Sequence, residues 1–141
     1  MKNDYYTLKG YQLNENKLIT YSMEDYLEMI CRMVGKSDFV RISEIAIKLN
    51  VKPSSASKMV YNLKEAGLVY YEKYGYVKPT KEGFIYGNYL LYRHKTINEF
   101  MCLINNTDNE TEMTEKIEHY IDKRTTYNIS KLTEKLKKMI R

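Results

Sequence analysis

The stretch that decides the fold is SEIAIKLNVKPSSASKMVYNLKEAGLVYYEKYGYVKPT, residues 43–80. Apolar residues at three- and four-residue spacing predict a short helix over residues 43–49, with Ser43 as its N-cap. Pro53 predicts the start of the next helix, because the first helical position needs no backbone N–H. Gly67 is predicted to end that helix, since glycine is favoured just after helix C-termini. The stretch therefore begins with two helices joined by a tight turn.

A hairpin and two flanking helices complete this unit. Residues 68–80 are rich in tyrosine and valine and contain one glycine, which predicts a short hairpin that turns near Tyr74–Gly75. Upstream, the periodicity of apolar residues predicts an amphipathic helix that Ser22 caps. Downstream, Thr80 is predicted to cap a long helix that runs to about Ile104. Three helices followed by a hairpin are the order of elements in a winged helix-turn-helix.

The rest of the chain is predicted to be helical or polar. Residues 1–20 are polar without clear periodicity and are interpreted as an N-terminal extension. The winged helix-turn-helix domain is expected to cover residues 21–80, and the long helix and further helices residues 81–141. Those further helices are predicted over residues 112–122 and 129–140. The predicted fold class is therefore mainly α with a small β-hairpin wing.

The helix that begins at Pro53 is predicted to enter the major groove of DNA. Short hydroxyl side chains on its outer face allow the backbone to approach DNA, and its N-terminus attracts phosphate. Arg41 and Lys58 are suited to neutralising phosphates, and Lys73 lies beside the predicted wing tip. An ordinary solvated helix surface is the alternative, because serine and lysine are common there. The predicted DNA-binding residues are Arg41, Pro53, Ser54, Ser55, Ser57, Lys58, Tyr61 and Lys73.

Composition restricts the class of protein only broadly. Of the 141 residues, 43% are hydrophobic, which is enough to form a core. The net charge of +5 suits a nucleic-acid partner but is common among other proteins. The cysteines Cys31 and Cys102 form no CxxC pair and are expected to be small apolar side chains. A polar N-terminus and the lack of a long apolar run lead us to expect a cytoplasmic protein without a membrane segment.

Carboxylates and histidines recur at helical spacing in three of the predicted helices. Two lie three residues apart on the first helix, one lies in the long helix, and three share a face of the helix over residues 112–122. If these helices meet, the oxygen and nitrogen donors suit a borderline-hard divalent cation, and bridging carboxylates would permit two ions. The candidate residues are Asp25, Glu28, His94, Glu115, Glu118 and His119.

Each of these residues also has a purely structural interpretation. Asp25 can stabilise the dipole of the helix whose first turn it occupies. Glu28 can pair with Arg32 four residues later. The other candidates can be a satisfied helix histidine and a solvated charged face. An enzyme is a further alternative, since dimetal oxidases use carboxylates and histidines on helices, but they repeat the Glu-x-x-His pair and this sequence has no second copy. A regulator that senses something other than metal is the remaining alternative.

Several motifs in order resemble the diphtheria-toxin-repressor family of metal-dependent transcriptional repressors. They are SMEDYLEMI, KPSSASKM, YYEKY, LLYRH and KIEHY, and together they cover roughly residues 22–122. The resemblance implies a winged-helix domain joined by a long helix to a helical metal-binding and dimerisation domain. It also implies repression of metal-uptake genes by a homodimer on double-stranded operator DNA. All six candidate residues match the ligand positions that it implies.

The resemblance is to the manganese-sensing branch of that family. The iron-sensing branch is expected to carry methionine and cysteine where this chain has Asp25 and Glu115. Oxygen donors at both positions favour Mn²⁺, although Fe²⁺ or Co²⁺ could substitute, and an iron-responsive repressor is the alternative. Two departures, Lys52 in place of a histidine and a wing turn without arginine, affect the expected operator sequence rather than the mode of binding.

Overall fold

The computed structural model describes residues 19–35, 37–72 and 75–140. The predicted extension over residues 1–20 lies almost wholly outside them. The elements are α1 (Tyr21–Val34), β1 (Val40–Arg41), α2 (Ile42–Leu49), α3 (Pro53–Glu65), β2 (Val69–Glu72), β3 (Tyr76–Pro79), α4 (Lys81–Asn105), α5 (Thr111–Ile117), a 3₁₀ turn (Glu118–Tyr120) and α6 (Lys123–Ile140). This order confirms the predicted fold class of a mainly helical chain with a winged helix-turn-helix.

The wing belongs to a three-stranded antiparallel sheet rather than to a hairpin alone. β3 lies between β1 and β2, and its Val77 pairs with Val40 of β1. The sequence did not predict β1, because two residues are too few to show the alternation of a strand. Gly75 has a φ of +81°, which glycine adopts without strain, and its N–H donates to the Glu72 carbonyl. The predicted turn at Gly75 is therefore confirmed, while Tyr74 lies outside the described residues.

Two predicted helix caps were wrong. The side chain of Thr20, not Ser22, accepts a hydrogen bond from the Met23 N–H at 3.1 Å, so α1 begins before Ser22. α2 begins at Ile42 rather than after Ser43, because the Arg41 backbone N–H donates to Glu44 Oε1 at 3.1 Å. The predicted start of α3 at Pro53 and the predicted cap at Thr80 are confirmed, and Gly67, with a φ of +78°, follows the end of α3.

Helix α1 packs against neighbours on two sides. Its Leu27 and Ile30 are fully buried in a core shared with α2, α3 and the sheet. On the other side it meets α4 at very short range, since a Cβ atom on Gly87 would lie 2.2 Å from Cys31 Sγ. Nearby, a Cβ atom on Gly83 would lie 1.9 Å from the Leu68 carbonyl oxygen. Two glycines thus let α4 contact both α1 and the start of the wing directly.

The helical half differs in detail from its prediction. The helix expected over residues 112–122 is α5 followed by a 3₁₀ turn that contains Glu118 and His119. α6 begins at Lys123, six residues before the predicted start, because Asp122 Oδ1 accepts from the Thr125 N–H at 2.7 Å and caps it. Among the described residues, none of the helices has the length and apolarity needed to cross a membrane.

Candidate metal centre

Helix α1 directs acidic side chains toward the helical half of the chain. Glu28 is buried, with 7% of its surface exposed, and Glu24 on the same face is exposed by only 2%. Asp25, beside them, keeps 44% of its side chain exposed. The sequence predicted a face opposite the apolar stripe of α1, and the structure shows that α4 and the 3₁₀ turn cover this face.

The six candidate residues come together as two groups of donor atoms. Within each group the donor atoms lie within 4.8 Å of one another. Glu118 belongs to both groups, so the groups are adjacent. The first group is Glu28, His94, Glu115 and Glu118, and the second is Asp25, Glu118 and His119.

In the first group, histidine and carboxylates meet between α1, α4 and α5. His94 Nδ1 lies 2.8 Å from Glu118 Oε2 and 3.5 Å from Glu115 Oε1. Glu28 Oε2 lies 3.5 Å from Nη2 of Arg32, as its four-residue spacing suggested. Glu28 Oε1, however, is buried and has no hydrogen-bond partner. A buried carboxylate oxygen without a partner is costly, and a cation at this place would satisfy it.

In the second group, the ring of His119 lies between two carboxylates of α1. Its Nε2 is 2.8 Å from Asp25 Oδ1, and its Nδ1 is 2.8 Å from Glu24 Oε1. Tyr21 stacks on the same ring with centroids 5.1 Å apart. The position of His119 is therefore set by the surrounding side chains.

Crowding of acids shifts the ionisation of the first group. Burial, and then the charge of Glu118, raise the pKa of Glu28 to about 7. Burial and the charge of Glu118 also raise the pKa of Glu115. The hydrogen bond to Glu118 outweighs burial and raises the pKa of His94. These groups hold protons more tightly than usual, which is typical of carboxylates placed together without a counter-ion.

The second group shows the same trend at its histidine. Burial disfavours the charged ring of His119, but hydrogen bonds to Asp25 and Glu24 outweigh burial and raise its pKa to about 9. Without a cation, a proton on this ring compensates the carboxylates around it. A divalent ion would supply that charge in place of the proton.

The donor set fits a hard or borderline divalent ion. Carboxylate oxygens and imidazole nitrogens dominate, no sulfur belongs to either group, and one buried oxygen lacks a partner. The geometry also makes Glu118, which is 1% exposed, available to both groups. What this arrangement can do is bind one or two cations and connect α1 to the helical half.

Sequence reasoning missed the buried residues that surround His119. Glu24 was not among the candidate residues, yet it accepts hydrogen bonds from Tyr86 and Arg93. Its four-residue spacing from Glu28 was a signal for the shared face. Arg93 gave no signal of its own, because nothing in the sequence indicates that an arginine is 3% exposed.

None of the predicted DNA-binding residues that the structure describes belongs to either group of donor atoms. Ser54, Ser55 and Lys58 are exposed on the N-terminal part of α3, and Ser57 is partly buried. The remaining described members, Pro53 and Tyr61, are exposed as well. These positions agree with an open helix face, and their contacts with DNA remain predictions.

Of the two basic residues predicted beside this helix, Arg41 and Lys73, the structure describes only Arg41. Arg41 is exposed at the start of α2, and its Nη2 lies 3.4 Å from the hydroxyl of Tyr76. Its guanidinium also lies 5.3 Å from the centre of that ring, which holds it beside the sheet. Lys73, predicted beside the wing tip, lies outside the described residues.

Known proteins resemble this chain in sequence. A family model described as "Iron dependent repressor, N-terminal DNA binding domain" matches residues 18–77. The transcriptional regulator MntR of Geobacillus thermodenitrificans (strain NG80-2) is 40% identical over 103 residues, which cover 72% of this chain and 73% of that protein. MntR of Shouchella clausii (strain KSM-K16) is also 40% identical over 103 residues, covering 72% of each.

Solved structures show the same fold. The manganese regulator SloR superposes with a TM-score of 0.70 at 26% identity, covering 79% of this chain and 53% of SloR. IdeR of T. acidophilum superposes with a TM-score of 0.67 at 22% identity, covering 75% of this chain and 51% of IdeR. This chain thus spans about half the length of those two proteins.

The relatives distinguish between the functions that the sequence left open. They are named as transcriptional regulators, so a dimetal enzyme is not favoured. The matching family model describes a DNA-binding domain, and it covers the winged helix-turn-helix up to Val77 of β3. The chain therefore belongs to the iron-dependent repressor family, and it is a metal-responsive transcriptional repressor that binds DNA.

Proposed function

We propose that the chain is a manganese-responsive repressor that binds operator DNA as a homodimer in the cytoplasm and controls metal-uptake genes. The observation that carries this proposal is the convergence of six oxygen and nitrogen donors from α1, α4 and the segment α5–3₁₀. Each of the two donor groups takes its members from more than one of these elements. The proposed ligands are Asp25, Glu28, His94, Glu115, Glu118 and His119.

Two positions favour manganese over iron. Asp25 and Glu115 offer oxygen where the iron-sensing branch is expected to use sulfur. Mn²⁺ binds weakly to most ligand sets, so a site with many hard oxygens and no sulfur suits it, while Fe²⁺ and Co²⁺ can substitute. SloR, which shares this fold, is described as a manganese regulator.

We propose two ions per chain. The first would be held by the group around His94, and the second by the group around His119. Glu118 supports this arrangement because its carboxylate belongs to both groups and is fully enclosed. A carboxylate with two oxygens can contact two ions at once.

The proposed response follows from where the ligands reside. When bound, the metal supplies positive charge between carboxylates that otherwise repel one another. Glu28 belongs to the DNA-binding half, and Glu118 to the helical half, so their joint use fixes the two halves relative to each other. In a dimer this would set the separation of the two α3 helices, which must be about 34 Å, or a multiple, to enter successive major grooves.

Metal-dependent DNA binding tests the proposal. Operator fragments would be selected from random DNA with Mn²⁺-loaded protein, and their affinity measured against free Mn²⁺ and with a chelator. We expect tight binding only with metal, and a response shifted to much higher Mn²⁺ in Glu118→Gln. Glu112→Gln, on an exposed position of α5, is the matched control and should behave like the parent protein. Equal DNA affinity with and without metal would overturn the proposal.

A further inference from the structure

The side chain of Glu24 is buried among donors that come from two separate elements, α4 and the 3₁₀ turn. Its Oε2 accepts a hydrogen bond from the Tyr86 hydroxyl at 2.5 Å, and its Oε1 accepts from Arg93 Nη2 at 3.3 Å. The same Oε1 lies 2.8 Å from His119 Nδ1. Both oxygens are therefore used within the protein, which leaves this carboxylate poorly placed to be a metal ligand itself.

The contacts of His119 show which ring nitrogen keeps its proton when a metal binds. A carboxylate can only accept, so the short contact between Nδ1 and Glu24 requires a proton on Nδ1. Arg93 Nη2 also lies 3.2 Å from Nδ1, but a guanidinium can only donate. With Nδ1 protonated, that second contact is proximity and not a hydrogen bond. Nε2 lies 2.8 Å from Asp25 Oδ1, so it is protonated as well in the metal-free protein. Because Asp25 is itself a proposed ligand and Glu24 is not, Nε2 is the nitrogen that would lose its proton to a metal, while Glu24 keeps the proton on Nδ1.

Arg93 compensates the buried charge. Its residue surface is 3% exposed and that of Glu24 is 2% exposed, so neither charge is solvated. Arg93 remains there although its Nε has no hydrogen-bond partner, which is unfavourable for a guanidinium. A buried pair of this kind stabilises a fold little compared with apolar residues of the same size. A positioning role explains why a charged pair occupies this place.

We propose that Glu24 and Arg93 form a buried pair that positions His119 and presents its Nε2 to the second ion. The inference rests on the proposed metal site and adds two residues that act through a ligand. Outer partners of this type orient a metal-bound histidine. They typically raise metal affinity on the order of 10- to 100-fold.

Nitrogen NMR of the histidine rings tests this directly, because the chain has only two histidines. The full chain, labelled with ¹⁵N-histidine, would be titrated with Cd²⁺, which does not broaden the signals as Mn²⁺ does. In the parent protein we expect His119 to bind through Nε2 with Nδ1 protonated. Substitution of His94 by glutamine assigns the two rings.

Two variants separate positioning from folding. Glu24→Gln keeps the shape and should lower Cd²⁺ affinity by about tenfold. Glu24→Leu combined with Arg93→Leu replaces the pair by apolar residues and should lower the affinity further, because no carboxylate then holds the proton on Nδ1. Thr133→Val removes a buried hydrogen bond in α6, away from the site, and should leave both readouts unchanged.

The outcomes are distinguishable from those that concern the proposed function. Parent-like affinity and ring signals in Glu24→Gln and in the double variant would overturn the positioning role. An equal loss of affinity in Thr133→Val would also overturn it, because affinity would then follow general stability. If His119 of the parent protein binds Cd²⁺ while its DNA affinity does not change with Mn²⁺, the proposed manganese response is wrong. The positioning role would still be supported.

Discussion

Asp25 is the proposed ligand at which the choice of metal is most open to test. It is the more exposed of the α1 carboxylates in the site, and its Oδ1 faces His119 Nε2 at 2.8 Å. Asp25→Met removes a negative charge and adds a thioether, from which Mn²⁺ gains little. We expect activation by Mn²⁺ to fall by more than activation by Fe²⁺ or Co²⁺, measured as operator affinity against each free metal, anaerobically for iron.

The possible results of this substitution have separate meanings. Parent-like responses to all three metals would mean that Asp25 is not a ligand. Equal losses for all three would mean that it is a ligand but does not set selectivity. Asp38→Met, at an exposed position before β1, is a control for the loss of a carboxylate elsewhere in the DNA-binding half.

Individual residues also show how far sequence reasoning reached. Spacing placed Glu115, Glu118 and His119 on one face, and the structure brings all three to the site. Spacing did not reveal Glu24 and Arg93, because their contacts depend on how α1 and α4 meet and not on either helix alone. Local periodicity contains information about one element, whereas a buried ion pair between elements depends on the complete fold.

At the scale of elements, the crossing of α1 and α4 depends on Gly87. A methyl group there would press on Cys31 Sγ, which is itself buried. We expect Gly87→Ala to reduce the free energy of unfolding by about 1–3 kcal/mol, the usual cost of overpacking, despite the better helix propensity of alanine. Urea denaturation of the metal-free protein measures it.

A second substitution checks that the effect comes from this contact. Cys31→Ala removes the sulfur, so the double variant should recover part of the stability that Gly87→Ala loses. Gly35→Ala is the control, since its Cβ would meet only the Arg32 carbonyl at 3.8 Å, an ordinary contact. Additive effects of the two substitutions at the crossing would contradict the close approach as the cause.

The open face of α3 leads to a prediction about salt. Lys58 is exposed there, and if it contacts a phosphate, Lys58→Ala should lower the slope of log affinity against log salt by about one unit. Arg41→Ala should have a similar or smaller effect, because its guanidinium is already engaged with Tyr76. Binding to operator DNA in saturating Mn²⁺ between low and moderate salt measures the slope.

The control for this prediction lies in the helical half. Lys131→Ala removes an exposed lysine from α6 and should leave the slope unchanged. Parent-like slopes in both the Lys58 and Arg41 variants would exclude them as phosphate contacts. A change in Lys131→Ala of the same size would indicate a general effect of net charge.

Elements were predicted better than their ends. The order of helices and the wing followed from periodicity, proline and glycine. The start of α2 did not, because arginine is an unusual N-cap and the hydrogen bond comes from its backbone. The start of α6 was placed too late because Thr125 and Thr126 read as a loop, although Asp122 caps a helix that contains them.

At the scale of the whole molecule, metal should reverse the effect of pH on stability. The pKa of Glu28 is raised from 4.5 to about 7, and that of His119 from 6.5 to about 9. Folded-state values above the unfolded ones mean that the metal-free fold binds extra protons, so their contribution to stability declines as pH rises through 7 and 9. We expect the metal-free protein to lose on the order of 5 kcal/mol between about pH 5.5 and 9.

Metal binding requires the same groups to be deprotonated. With saturating Mn²⁺, stability should therefore rise over the lower part of this pH range. Thermal unfolding with chelator and with Mn²⁺, at matched pH, shows both slopes. His119→Gln should lose the part of the metal-free decline above neutral pH, and a metal-free protein that becomes more stable up to pH 9 would contradict the assignment.

The proposed dimer is testable through the exposed apolar residues of the helical half. Most apolar residues of α1 are buried within the chain, whereas several on α4, α5 and α6 remain exposed. We expect a dimer with and without metal, because a symmetric operator is bound by a protein with matching two-fold symmetry. Sedimentation at micromolar concentration would show it, and a monomer in both conditions would contradict it. These exposed residues include Ile85, Ile104, Met113, Leu132, Met139 and Ile140.

The close contact between Gly87 and Cys31 is the point about which a tilt of α4 against α1 would pivot. At 1.5 Å per residue, His94 lies about 10 Å along the helix from Gly87, and Asn105 lies about 27 Å from it. A tilt of about 5° would move His94 by about 1 Å and the far end of α4 by about 2.4 Å. An ångström of adjustment at the ligand thus becomes a displacement more than twice as large where the helical half begins.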